Sequence, residues 1–85
     1  MKKFDYTIQA PLGLHARPAG LLAKEVRQFA SVCTIEKGGE RKRLTQLMMV
    51  MAMGIQQGDT VTVAAEGPDE DAAIEALNVF FQTNL

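Results

Sequence analysis

The run Val32-Cys33-Thr34-Ile35-Glu36-Lys37-Gly38-Gly39-Glu40-Arg41-Lys42-Arg43-Leu44 decides how this chain folds. Its first five residues are apolar and β-branched enough to read as a strand. Gly38-Gly39 then makes a good two-residue hairpin turn, because glycine tolerates positive φ. Residues 40–44 pair back as a charged strand suited to an exposed sheet edge.

Before the hairpin, Phe4, Tyr6 and Ile8 alternate with Asp5, Thr7 and Gln9, the period of a half-buried strand. Pro11, Leu12 and Gly13 end it in a loop. Residues 16–29 read as a helix, with Ala19, Leu22, Ala23, Val26 and Phe29 facing a core. Pro18 sits in its first turn, where a missing N–H does no harm. Arg17, Gly20, Leu21, Lys24 and Arg27 fall on a second stripe, basic with one exposed leucine.

After the hairpin, residues 45–53 read as a short helix, with Thr45 as its expected cap and Gly54 ending it in the left-handed conformation. Gln56-Gln57-Gly58-Asp59 is a turn. Thr60–Glu66 is a strand with Val61, Val63 and Ala65 on one face. Gly67-Pro68 breaks it, and Asp69 is the expected cap of a last helix. Glu70 and Asp71 suit that helix's dipole, while Ala73, Ile74, Leu77, Phe80 and Phe81 form its buried face. The order of strands and helices predicts an α+β fold in two layers. A four-stranded, mainly antiparallel sheet is covered on one face by three helices.

Composition narrows the function classes. The chain has 85 residues, enough for a single domain over residues 1–85. A net charge of -1 gives no global field for nucleic acid or an acidic membrane surface. The one cysteine, Cys33, allows no intramolecular disulfide and fits a reducing compartment; it reads as a small buried hydrophobe. The apolar core of a signal peptide does not follow Lys2 and Lys3, because Asp5, Thr7 and Gln9 interrupt it. No apolar run approaches the roughly 20 residues that span a bilayer. A cytoplasmic protein without membrane insertion is expected. One histidine and one cysteine, far apart, make no metal site, and no glycine-rich nucleotide loop is present. No cofactor is expected. The basic run from Lys37 to Arg43 reads as a solvated edge rather than a nucleic-acid contact, with one tyrosine and four phenylalanines in the whole chain.

The chemistry concentrates in Gly13-Leu14-His15-Ala16-Arg17-Pro18. His15 stands where a loop becomes a helix, beside free backbone N–H groups and the positive end of the helix dipole. A histidine ring so placed can act as a nucleophile and form a covalent intermediate. Phosphoryl oxygens on that ring would meet the first-turn N–H groups of Ala16 and Arg17, and the Arg17 guanidinium would add charge-assisted bonds. The alternative is that His15 is only a surface residue or cap.

The motif Gly13-Leu14-His15-Ala16-Arg17-Pro18-Ala19 resembles the phosphorylation-site signature of the HPr family of the bacterial sugar phosphotransferase system. Two further blocks are similar to that family: Leu47-Met48-Met49-Val50-Met51-Ala52-Met53-Gly54-Ile55, and Gly58-Asp59-Thr60-Val61-Thr62-Val63 running to Glu66-Gly67. The resemblance covers essentially the whole chain. It implies an open-faced β-sandwich of βαββαβα topology. It also implies a carrier that takes phosphate from phospho-enzyme I onto Nδ1 of His15, with Arg17 assisting, and passes it to enzyme IIA domains of sugar permeases. The implied docking surface is Gly20, Leu21, Lys24 and Arg27 with Leu47, Met48 and Met51. Methionines suit a surface that meets unlike partners. Val50 and Met53 are expected to be buried, Met48 and Met51 exposed. A monomer is the expected state of a shuttle.

Two positions depart from the family pattern. Gln46 stands where many members carry a regulatory serine, so no phosphosite is expected there. Leu12 stands where serine or asparagine is common. These departures motivate a second reading, a paralogue acting mainly as a phosphorylation-dependent regulatory binding protein. A third is a small RNA- or peptide-binding module in which Arg41 to Arg43 make the contacts.

Overall fold

The computed structural model describes residues Met1–Leu85. Its elements are β1 (Lys2–Thr7), α1 (Ala16–Val26), β2 (Val32–Lys37), β3 (Glu40–Arg43), α2 (Leu47–Met51), β4 (Thr60–Glu66) and α3 (Glu70–Asn84). The strands form one sheet in the order β1-β4-β2-β3, and every neighbouring pair is antiparallel. Gly38 and Gly39 both take positive φ, at 58° and 83°, which matches the twist of the β2–β3 hairpin. The expected βαββαβα arrangement is the one observed.

Register explains why one face of the sheet is covered. Val61 and Val63 of β4 lie opposite Tyr6 and Phe4 of β1, and Val63 and Ala65 lie opposite Ile35 and Cys33 of β2. Val61, Val63, Ala65 and Ile35 have no measurable exposure, and Cys33 is buried as expected. Phe81 of α3 packs on this face, with the rings of Phe4 and Tyr6 edge-on at 5.8 and 5.6 Å. The other face carries Asp5, Thr7, Thr60 and Thr62. It is polar, and it is stitched by Thr62 Oγ1 donating to Asp5 at 2.7 Å and by the Thr7–Thr60 hydroxyl pair at 2.8 Å. No helix of the chain is long and apolar enough to cross a membrane.

Several boundaries and caps differ from the sequence expectation. The first strand runs Lys2–Thr7 rather than to Gln9, because the Gln9 and Ala10 N–H groups turn to the Leu85 main-chain oxygen. Ile8 still reaches the core at 1% exposure. The helix α1 stops at Val26, not Phe29. Gln28 and Phe29 donate to Glu25 and Val26 in tighter three-residue turns, and the next two N–H groups are taken by Asp69.

Thr45 does not cap α2. A turn from the Arg43 carbonyl to the Gln46 N–H carries the chain past Thr45, and Gln46 occupies the cap position without a side-chain bond. Gly54 does take the left-handed conformation expected after that helix, with φ at 65°. Asp69 holds the cap position of α3, but its side chain does not cap the helix either. Its carboxylate accepts from Ala30 N, Ser31 N and Ser31 Oγ across the molecule. Glu70 closes the start of α3 instead, accepting from Gly67 N at 3.1 Å.

Candidate functional site

The position of His15 is set by the two residues before it. Gly13 has φ at 65°, and a Cβ there would lie 2.4 Å from the Ile55 carbonyl oxygen, so no other residue fits without a shift. Leu14 N–H donates to that same oxygen at 3.0 Å, and the Leu14 side chain is buried. The loop is thereby pinned to the segment following α2, and the next residue turns outward.

His15 is the N-cap residue of α1, with extended backbone and no side-chain bond to the helix. Its carbonyl accepts the first intrahelical bond, from Ala19 N at 3.0 Å. The N–H groups of Ala16 and Arg17 have no backbone acceptor, and Pro18 has no N–H to satisfy. Two free donors therefore lie in the turn directly after an exposed imidazole, at the positive end of an eleven-residue helix. Arg17 is exposed and has no carboxylate partner. His15, Arg17, Pro18, Leu21 and Asn84 line one open depression of about 270 Å³. A nucleophilic ring, two backbone donors and an unpaired guanidinium can together receive and hold a group with three anionic oxygens.

Of the residues expected to dock partners, Leu21, Lys24 and Arg27 are exposed along α1, and Gly20 is half-buried. Leu21 lines the His15 depression, but Arg27 does not. Twelve residues along the helix put Arg27 roughly 18 Å from His15. It lines a separate depression with Val26, Phe29, Ser31, Val32, Cys33, Arg43 and Thr45. Met48 is 77% exposed, Met51 is 36% exposed, and Leu47 is half-buried against the core. Val50 and Met53 are buried as expected, and Leu12 is 75% exposed on the loop leading to His15. Asn84 was legible in no sequence pattern. It is a polar residue on the last turn of α3, and only the packing of α3 beside α1 brings it to His15.

The family model described as the PTS HPr component phosphorylation site matches residues 2–83. The chain is 46% identical over 77 residues to the phosphocarrier protein HPr of Mycoplasma capricolum subsp. capricolum, covering 91% of this chain and 86% of that one. It is 35% identical over 85 residues to the phosphocarrier protein HPr of Mycoplasma genitalium, covering 99% and 97% respectively. The structure of HPr-C-His from Thermoanaerobacter tengcongensis superimposes with a TM-score of 0.92 at 36% identity, covering 98% of this chain and 93% of that one. An outward histidine with free helix donors, on an open-faced sandwich matched from β1 to α3, places the chain in the HPr family of phosphocarrier proteins of the phosphotransferase system, which serves sugar transport.

Proposed function

We propose that His15 is the residue that carries the phosphoryl group, accepting it from phospho-enzyme I and passing it to enzyme IIA domains of sugar permeases. The observation that carries this reading is the exposed His15 at the start of α1, followed by the unbonded N–H groups of Ala16 and Arg17.

In the transfer, a ring nitrogen of His15, Nδ1, attacks phosphorus. The N–P bond forms as the bond from phosphorus to the donor breaks, and the donor keeps that electron pair. Ala16 N–H, Arg17 N–H and the Arg17 guanidinium bond the three terminal oxygens while the group is held. On delivery the acceptor attacks phosphorus and the electron pair returns to Nδ1. Leu21, Met48 and Met51, with half-buried Gly20 and Leu47, supply the apolar docking surface, and Lys24 and Arg27 supply basic flanks that steer acidic partners. The protein acts as a cytoplasmic monomer, a single unit of residues 1–85, with no cofactor of its own.

The test is incubation with phosphoenolpyruvate and enzyme I, followed by intact mass and an acid-lability assay, with His15→Ala alongside. One acid-labile phosphoryl group on the wild type and none on the variant supports the reading. A folded wild type that stays unmodified, with enzyme I active on another carrier, overturns it.

A further inference from the structure

We infer that Asn84 is a phosphate-contacting residue of the same site, its side-chain amide donating a hydrogen bond to the phosphoryl group on His15. The inference rests on the reading of His15 as carrier and adds a donor from the opposite end of the chain.

Asn84 lies in the last turn of α3 and lines the depression with His15 and Arg17. Its place there is fixed by its neighbour. Leu85 is buried at 4% exposure, and its main-chain oxygen accepts from Gln9 N and from Ala10 N, the latter at 2.8 Å. Those two donors belong to the loop that runs through Gly13 and Leu14 into His15. The end of α3 and the approach to His15 are thus one hydrogen-bonded unit, so Asn84 is held at a set distance from the ring.

The amide is also half-committed in a useful way. Asn84 Nδ2 donates to the Phe80 carbonyl at 3.1 Å. A primary amide carries two N–H donors, so one remains for another acceptor. The end of a helix otherwise presents carbonyl oxygens and a partial negative charge, which repels an anion. The amide covers one such carbonyl and keeps one N–H without a partner, available to an acceptor in the depression. A donor on a terminal oxygen favours the charge of the phosphorylated state, which a loose transition state must move off those oxygens. Being neutral, Asn84 adds this without the stronger grip of a second arginine, which suits a group that must leave again.

Hydrolysis of the loaded protein reads this contact directly. Water attacks phosphorus, the P–N bond breaks, its electron pair returns to the ring nitrogen, which takes a proton, and inorganic phosphate departs. Wild type, Asn84→Ala, Asn84→Asp and Asn84→Ser are phosphorylated with phosphoenolpyruvate and enzyme I. The lifetime of the phosphohistidine and its 31P shift are then followed, with folding checked by circular dichroism. Loss of the donor in Asn84→Ala shortens the lifetime roughly three- to tenfold. Asn84→Asp shortens it further through repulsion, Asn84→Ser restores part of it, and the 31P signal moves in Ala and Asp. Equal lifetimes and an unmoved 31P signal in all four folded proteins overturn the inference and leave His15 as carrier. A wild type that takes no phosphate fails the reading of His15 itself. If Asn84→Ala does not fold, the Asp and Ser variants decide, because longer or equal lifetime in Asp than in Ser contradicts a donor at this position.

Discussion

The carboxylate of Asp69, at the start of α3, is bonded to Ser31, at the start of β2, and not to the helix it precedes. It accepts from Ser31 N and Ala30 N, both at 2.9 Å, and from the Ser31 hydroxyl. Gly67 makes this approach possible, since a Cβ there would lie 2.6 Å from Ser31 Cα. The contact ties the turn after α1 to the turn before α3.

That tie makes stability depend on pH. Hydrogen bonding from the Ser31 side chain, then from Ala30 N–H, lowers the pKa of Asp69 below the usual carboxylate range. Asp59 is lowered first by its bond to Lys37, and Glu70 first by the Gly67 N–H. All three have depressed pKa values when folded. Their contributions are therefore present above the unfolded carboxylate range, near about pH 4. They are lost as pH falls through the folded values. Thermal melts from pH 7 to pH 2 should show Tm falling below about pH 4, and Asp69→Asn should lower Tm at neutral pH and flatten that fall. A pH profile identical to wild type would show that the Ser31 contact does not hold the two turns.

Gly13→Ala should cost roughly 1–3 kcal/mol in chemical denaturation, because a β-carbon meets the Ile55 oxygen and φ is positive. Its rate of phosphorylation should fall with it, since the same loop sets His15. Wild-type stability would mean the loop relaxes freely.

Thr45→Ala should change stability by no more than about 0.5 kcal/mol, the usual effect of an exposed residue away from a cap. Thr45 is exposed and Gln46 holds the cap position of α2. A loss near 1 kcal/mol or more, typical of a removed cap, would restore Thr45 to that role.

Phe81→Ala should be the most damaging of these changes, at roughly 3–5 kcal/mol. Phe81 is fully buried and meets the rings of Phe4, Tyr6 and Phe80. Urea titration measures it, and a cost under 1 kcal/mol would show that the core closes over the gap.

Leu21→Glu and Met48→Glu should each weaken docking to enzyme I by roughly tenfold, about 1.4 kcal/mol, with the melting curve unchanged. Both side chains are exposed, at 47% and 77%. Titration calorimetry reads the affinity, and unaltered binding in both variants would place the interface elsewhere.

Local pattern alone determined the order of elements, the hairpin at Gly38-Gly39, the buried faces of β4 and α3, and the exposed histidine at a helix start. Each depends on neighbours in sequence: side-chain periodicity, glycine's tolerance of positive φ, and the free N–H groups of a first helical turn. What the tertiary structure decided was where polar groups without a local partner found one. Thr45 and Asp69 are ordinary cap residues by type. Yet a turn from Arg43 to Gln46 moved the first out of position, and the Ala30 and Ser31 N–H groups drew the second away. The Gln9 and Ala10 N–H groups left the sheet for Leu85 in the same manner, and this placed Asn84 beside His15. Arg27 was legible as part of the α1 stripe, but helix length carried it away from the histidine. A backbone N–H left without a local acceptor takes whichever one the packing delivers, and no spacing along the chain encodes which one that is.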